Sequence, residues 1–460
     1  MAMRAFTLDE VARLTGGQVL AVSAGRVSGL SLDSRAAAPG VLFAALKGER
    51  ADGHDHCRQA AERGAGAVLV ERPVQVPEGT GVVRVASVER AVRALGAEAR
   101  SGFRGEVVGI VGSCGKTTTK DFTAAVLSTL GPTYATPGNR NNLLGVPESL
   151  MGADADARFW VLELGISKPG EMEELAPIAR PTAVSFTTIQ PVHTQFFPSL
   201  EAILEEKAKV LQWTAEGGRA FLNADDPLLG GLALAPGLKR ISYGTSEGAE
   251  LRAEALGTAH PEGVPFSLSF GGREARGFLP LPGMHNLLNF AAACAAGASY
   301  GAPVEQMAEV AQSLKPARHR GERIHLEGDV FLLDESYNAN PAAMESVLGS
   351  LGGWGERRLV AALGDMLELG PAWLEHHKRV GQVAAEAGVS VLLAVGGEGA
   401  KAMAEAFRGR GREVLHAPRW PDGAEWLEER LKDGDGLVVK GSRGVGLDGL
   451  VAWLRARRGA

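Results

Sequence analysis

Cysteine is scarce: Cys57, Cys114 and Cys294 are the only three in 460 residues. They stand too far apart for a metal-ligand spacing or a disulfide framework, which fits a reducing cytoplasm. No apolar run approaches the ~20 residues needed to cross a membrane. The longest candidate, 287–298, is rich in alanine and reads as a buried helix. Asp9, Glu10 and Arg13 stand where a secretory signal would be apolar. No basic stretch stands out and the formal net charge is −6, so the electrostatic footprint of a nucleic-acid binder is missing. Neither a fixed-period repeat nor a sustained heptad is visible, and a monomer is expected. These absences point to a cytoplasmic globular protein without a nucleic-acid partner and without membrane insertion. Its length predicts about three domains, and 45% hydrophobic residues are enough for several cores.

What is present centres on Gly112-Ser113-Cys114-Gly115-Lys116-Thr117-Thr118-Thr119. The run follows a short buried strand, 106–111, and precedes a helical pattern with Phe122, Val126 and Leu130 on one face. Strand, glycine loop and helix in that order make an anion cradle: backbone N–H groups close on phosphate oxygens and the helix N-terminus adds a favourable dipole. Lys116 supplies a point charge for the β- and γ-phosphates, and the Thr117 hydroxyl can reach a magnesium ion. The spacing departs from the common loop, because Ile110 stands where an early glycine is expected. The reading is a site for ATP or a close relative.

The chain reads as two α/β domains behind a smaller mixed one, with boundaries at 1–100, 101–316 and 317–460. The first section closes on a short strand, 82–85, and a connecting helix, 87–100. The second alternates strands and helices, with buried strands at 159–164 and 183–187. Gly and Pro then punctuate short segments over 236–282, which suggests an antiparallel patch. Lys315-Pro316-Ala317 reads as a linker. Beyond it, apolar runs at 330–333, 359–363, 391–395 and 437–439 alternate with helical stretches. Such runs mean a parallel sheet covered on both faces.

Several residues carry chemistry, each with a plainer alternative. Glu163 ends an apolar strand, where ligands gather at an open α/β sheet, and is either a metal-holding carboxylate or an ordinary strand-end acid. His193 lies in a Pro- and Gln-containing loop, where a histidine is by default structural or solvated. Lys207 and Lys209 lie on a charged amphipathic helix, where solvated lysines are the default. Asn286 and Asn289 share one helix face; they can read the edge of adenine, or Asn286 can cap the helix. Three polar loops, beginning at Asp334, Gly364 and Lys440, follow buried strands and therefore cluster at one sheet edge, which favours a ligand site.

Together these segments resemble the Mur ligase family over nearly the whole chain. Further matching segments are Gly138-Asn139-Arg140-Asn141-Asn142 and Asn223-Ala224-Asp225-Asp226-Pro227. Tyr337-Asn338-Ala339-Asn340-Pro341, Gly364-Asp365-Met366-Leu367-Glu368-Leu369-Gly370 and Lys440-Gly441-Ser442-Arg443 resemble most the member that adds D-alanyl-D-alanine. The resemblance implies a small mixed UDP-sugar domain, a central ATP-binding parallel sheet with an antiparallel patch, and a C-terminal Rossmann-like sheet. The implied reaction is ATP-dependent: the terminal carboxylate of UDP-N-acetylmuramoyl-tripeptide becomes an acyl phosphate, the D-Ala-D-Ala amine attacks it, and phosphate leaves from a tetrahedral intermediate.

By the same resemblance, Gly112, Ser113, Cys114, Gly115, Lys116 and Thr118 hold the nucleotide phosphates. Thr117 and Glu163 bind one Mg2+, while His193 and a carbamylated Lys207 serve a second. Asn286 and Asn289 face adenine, Glu335 the ribose, and Arg320 the γ-phosphate. Asn139, Asn338, Asn340 and Asp365 face the peptide substrates, and Ser34, Arg35 and Lys47 the UDP-sugar. The chain departs from the family pattern at four places. Cys114 replaces Ser, Thr or Asn, Gln195 replaces a glutamate, Glu335 replaces an aspartate, and Arg323 competes with Arg320 for the phosphate.

Overall fold

Parallel strands buried on both faces need helices above and below, and the described residues form three sheets built largely in this way. The computed structural model describes residues 5–459 apart from 24, 49–50 and 258–261. The first sheet has five strands. Gly29–Ser31, Val41–Ala44, Ala67–Val70 and Gly81–Arg84 run parallel, and Gln18–Ala21 lies antiparallel on Gly81–Arg84. Helix Val88–Gly102 then leads to the second sheet, fixed at its start by Ser87, whose hydroxyl accepts from the Arg90 amide.

The second sheet has nine strands, with Glu106–Val111 between Phe159–Glu163 and Ala183–Phe186. Arg219–Asn223, Lys239–Gly244 and Leu251–Ala255 continue it in parallel. Val264–Phe270 and Arg273–Leu279 close that edge as an antiparallel hairpin. The antiparallel part is therefore an extension of the nucleotide-type sheet and begins later than position 236, since Lys239–Gly244 is parallel. Helix Lys116–Ser128 packs along the helix Met284–Ser299. Its alanines, with Gly297 closing on Val126, allow the two axes to approach tightly. Phe122, Val126 and Phe290 fill that seam.

The third sheet has six strands in the order Glu322–Leu326, Val330–Glu335, Gly436–Lys440, Leu359–Gly364, Val389–Val395 and Glu413–Ala417. All but the Glu322–Leu326 pairing are parallel. The strand ends at Glu335, Gly364 and Lys440 are therefore neighbours and point the same way. The loops after them face the C-terminal end of Glu106–Val111 and its glycine loop across a cleft.

Candidate active site

The glycine loop is held by the segment that follows the neighbouring strand Ala183–Phe186. The Ser113 amide donates to the Thr188 carbonyl at 2.7 Å, and its hydroxyl donates to Gln190 O at 3.0 Å. Thr187 Oγ1 donates to the Cys114 carbonyl at 2.6 Å. Gly115 has φ 79 and caps the helix that begins at Lys116, and a Cβ there would run into Asn289 Oδ1. Asn289 Oδ1 in turn accepts from Thr119 Oγ1 at 3.2 Å. The loop is thus locked in the shape that opens its amides to an anion.

Lys116 folds back so that Nζ donates to the Gly112 and Ser113 carbonyls at 2.9 and 3.0 Å. Loss of solvent lowers its pKa, and the charge of Glu163 opposes that fall. Glu163 is 1% exposed. One of its oxygens accepts from Asn141 Nδ2 at 2.7 Å, while among the described residues Oε2 is buried without a hydrogen-bond partner, as is Thr117 Oγ1. Two orphaned oxygens at the mouth of a phosphate loop are costly unless a cation takes them. Asn141, two positions from Asn139, is a site residue that the sequence reading passed over.

Lys207 corrects the expectation from its helix. It is 1% exposed, not solvated, and its ammonium makes no hydrogen bond or ion pair among the described residues. Burial pushes its pKa down to about 7, helped by the nearby charge of Lys116. Lys209, in the turn after that helix, is partly buried and pairs with Glu173 and Glu206, both at 2.8 Å. Lys207 is instead buried, within electrostatic reach of Lys116 and Cys114, and does not itself line either cavity described below. His193 has φ 54, and its Nδ1 lies 2.6 Å from Glu368 Oε2. Burial lowers its pKa, opposed by Glu368.

From the other side of the cleft come Arg320 and the loops of the third sheet. The Arg320 guanidinium lies 3.8 Å from the centroid of the Tyr337 ring, while Arg323 is turned away, donating to the Glu262 and Pro280 carbonyls. Lys440 is buried, and its Nζ donates to Glu335 Oε2 at 3.2 Å and to the Asn338 carbonyl at 3.0 Å. Asn340 caps the helix Pro341–Ser350 through Ala343 N. Asn286 is buried and donates to the carbonyl of Pro282, just before its helix begins, at 2.7 Å. A cavity of about 740 Å³ joins the two sides. Its lining brings together Ser113 to Thr118, Asn139, Glu163, His193, Asn286, Asn289, Arg320, Glu335, Asn338 and Asn340.

Asp365 lines a separate space of about 480 Å³ with Gln195, Trp373 and His377. Its carboxylate accepts from the Gly397 and Ala400 amides at 2.6 and 2.5 Å, capping the helix Glu398–Phe407. Ser34, Arg35 and Lys47 lie on the first sheet, after the strands Gly29–Ser31 and Val41–Ala44, and none of them lines either cavity. Arg35 is engaged with Asp33, its Nη2 2.9 Å from Oδ2.

Known proteins match this chain along nearly all of its length. Three family models match in succession: the Mur ligase catalytic domain over 26–114, the Mur ligase middle domain over 110–297, and the Mur ligase glutamate ligase domain over 319–443. The UDP-N-acetylmuramoyl-tripeptide–D-alanyl-D-alanine ligase of Mycobacterium tuberculosis is 32% identical, covering 97% of this chain and 98% of that one. The ligase of the same name from Bacillus subtilis is 34% identical, over 92% of each. Among solved structures, MurF from Acinetobacter baumannii superposes with a TM-score of 0.86 at 26% identity, covering 99% of this chain and 100% of that one. MurF from Thermotoga maritima in complex with ADP gives 0.79 at 26% identity, over 94% and 99%. With the cradle, the facing sheet and these full-length relatives in agreement, the chain belongs to the Mur ligase family.

Proposed function

We propose that this chain is an ATP-dependent amide ligase that joins D-alanyl-D-alanine to UDP-N-acetylmuramoyl-tripeptide, a cytoplasmic step of peptidoglycan precursor synthesis. The observation that carries this reading is the cavity bounded by the glycine loop on one side and by Arg320, Asn338 and Asn340 on the other. A peptide carboxylate is a poor acyl donor. Transfer of the γ-phosphoryl group to its oxygen breaks the bond to ADP and creates a leaving group. The dipeptide amine then attacks the acyl carbon, loses a proton, and phosphate departs from the tetrahedral intermediate. Catalysis is mostly positioning and charge neutralisation.

In this reading the loop amides and Lys116 hold the phosphates, with Lys116 exchanging the Gly112 and Ser113 carbonyls for phosphate oxygens. Thr117 and Glu163 fit one Mg2+, because their orphaned oxygens are hard donors beside the loop. Bound magnesium supplies charge neutralisation on the phosphates. Arg320 reaches the γ-phosphate, Asn286 and Asn289 the adenine, and Glu335 the ribose. Asn139, Asn338 and Asn340 contact the peptide ends, and Asp365 shapes the neighbouring loop. Ser34, Arg35 and Lys47 follow two parallel strands of the first sheet, an edge suited to the UDP-sugar. The domains are 1–100, 101–316 and 317–460, and the protein acts as a monomer.

Lys207 and His193 serve a second Mg2+, with Lys207 as its carbamate. An amine titrating at about 7 is half neutral near pH 7. The free amine adds to CO2, forms an N–C bond and releases a proton, and so a buried cation becomes an anion. A carbamate 13C signal from labelled bicarbonate, absent in Lys207→Met, is the expected mark.

The reaction is tested by phosphate release from ATP with UDP-muramoyl-tripeptide and D-Ala-D-Ala, omitting each in turn. Release that needs both, with a UDP-muramoyl-pentapeptide product, is expected. Release indifferent to D-Ala-D-Ala would remove the assignment and point to a different amine.

A further inference from the structure

Two non-glycine residues with left-handed backbones meet across the cleft. His193, on the loop after Ala183–Phe186, has φ 54, and Glu368, on the loop after Leu359–Gly364, has φ 62. Such backbones are uncommon outside glycine and cost free energy unless their surroundings hold them. Here both are held. The Phe196 and Phe197 amides donate to the His193 carbonyl at 2.8 and 3.2 Å. On the other side, the Met366 amide donates to His377 Nε2 and the Leu367 amide to Ser442 Oγ, each at 2.9 Å. The two loops also dock closely, since a Cβ on Gly370 would lie 3.1 Å from the Thr194 carbonyl oxygen. Two contacts join the loops here: His193 Nδ1 to Glu368 Oε2 at 2.6 Å, and a longer one from Thr194 Oγ1 to the Glu368 carbonyl at 3.5 Å. The segment after His193 has no carboxylate of its own, because Gln195 is neutral.

We propose that Glu368 is a positioning residue for His193: its carboxylate accepts the Nδ1–H, fixes that tautomer, and leaves the Nε2 lone pair for a cation in the cleft. A carboxylate behind a metal-binding histidine orients the ring and raises its basicity. In this chain the carboxylate comes from the third sheet, so the histidine is prepared only while the third sheet lies against the second. Phosphoryl transfer is thereby tied to the presence of the domain that brings Arg320 and the peptide-facing asparagines. The inference rests on the reading of His193 as serving Mg2+.

The test uses full-length protein labelled with 15N-histidine, free of metal and nucleotide, with the His193 signals identified by His193→Gln. The Nδ1–H tautomer is expected in the unaltered protein, and a shift toward the Nε2–H form in Glu368→Ala. Glu368→Asp keeps the charge on a shorter arm and should recover part of the tautomer. All of these side chains keep a Cβ at φ 62, so backbone strain is matched among them. In the ligation assay, Glu368→Ala should raise the Mg2+ concentration for half-maximal rate by about 10- to 100-fold, with KM for UDP-muramoyl-tripeptide changed by less than about twofold. An unaltered tautomer, or an unaltered Mg2+ dependence, in Glu368→Ala would overturn the inference. The tautomer measurement needs no substrate, so a failure of the proposed ligation is told apart from a failure of this one.

Discussion

The Asn340 side-chain amide donates to the Cys114 thiol at 3.0 Å. Asn340 caps a helix of the third sheet's domain, and Cys114 sits in the middle of the glycine loop. The contact therefore ties the phosphate cradle directly to the face that carries Asn338 and Arg320. Serine or threonine at position 114 could accept the same hydrogen bond, so the thiol is a tolerable departure where the loop works through its backbone.

That thiol should be selectively alkylated. Cys57 and Cys294 are buried, and loss of solvent pushes Cys57 up to about 12 and Cys294 well above its ordinary value. Both should stay unmodified by iodoacetamide in the folded protein while Cys114 reacts. ATP, seated over the loop, should slow the reaction, and mass mapping of the labelled peptide reads it. Labelling that ignores ATP would count against the placement of the nucleotide. Cys114→Ser should keep activity within a few-fold.

Arg320 owes its position to the residue before it. His319 has φ 62, its Nδ1 lies 2.7 Å from Asp334 Oδ2, and its carbonyl accepts from the Tyr337 amide at 3.1 Å. Asp334 is fully buried and also accepts from Ser336 N. Asparagine tolerates this backbone and can donate to Asp334; glycine suits the backbone but has no donor; alanine offers neither. Activity should fall in the order His319→Asn, His319→Gly, His319→Ala, the last by on the order of 100-fold in kcat, since on the proposed reading Arg320 clamps the γ-phosphate and a misplaced clamp costs rate more than binding. Equal losses in all three would show that the pair does not position Arg320.

The strands of the second and third sheets were legible because parallel strands covered on both faces are unbroken apolar runs. The expected 159–164 and 330–333 became Phe159–Glu163 and Val330–Glu335. The glycine loop was legible because its chemistry is local: strand, loop and helix are contiguous. Lys207 was not, since the charged pattern of Leu200–Ala208 says nothing of which face docks on a neighbouring sheet. The pairing of His193 with Glu368 spans 175 positions, and nothing in periodicity encodes which loops of two separate sheets will face each other. Asn141 lies inside the segment Gly138-Asn139-Arg140-Asn141-Asn142 but has no distinguishing spacing; only the fold brings it to Glu163.

Gly115 admits a direct test of the cradle. Its φ of 79 and the nearness of Asn289 Oδ1 both exclude a side chain. Gly115→Ala should weaken ATP binding by about tenfold or more, because the strained loop no longer presents its amides together. Adding Asn289→Ala relieves the overlap but not the backbone, so it should recover only part of the loss. Calorimetric titration with a non-hydrolysable ATP analogue measures both.

Lys207 predicts an unusual pH dependence of stability. Its amine titrates at about 7 in the folded protein and near 10.4 in an unfolded chain. Between those values the unfolded state binds the proton and the folded state does not, so stability should rise with pH across that window. Below pH 7 the folded protein carries a buried ammonium and the full penalty. Lys207→Met removes the charge while filling much the same space. In metal-free, CO2-free buffer the variant should therefore melt higher than the unaltered protein at pH 6, by at least about 2 °C, and the gap should shrink by pH 9. The same variant should lose nearly all ligase activity, because the carbamate anion cannot form. A stabilised but inactive Lys207→Met would mean that the lysine is kept for chemistry at the expense of the fold. A variant no more stable at pH 6 than at pH 9 would mean that the amine finds water or a counter-charge in solution, and the carbamate reading would lose its physical basis.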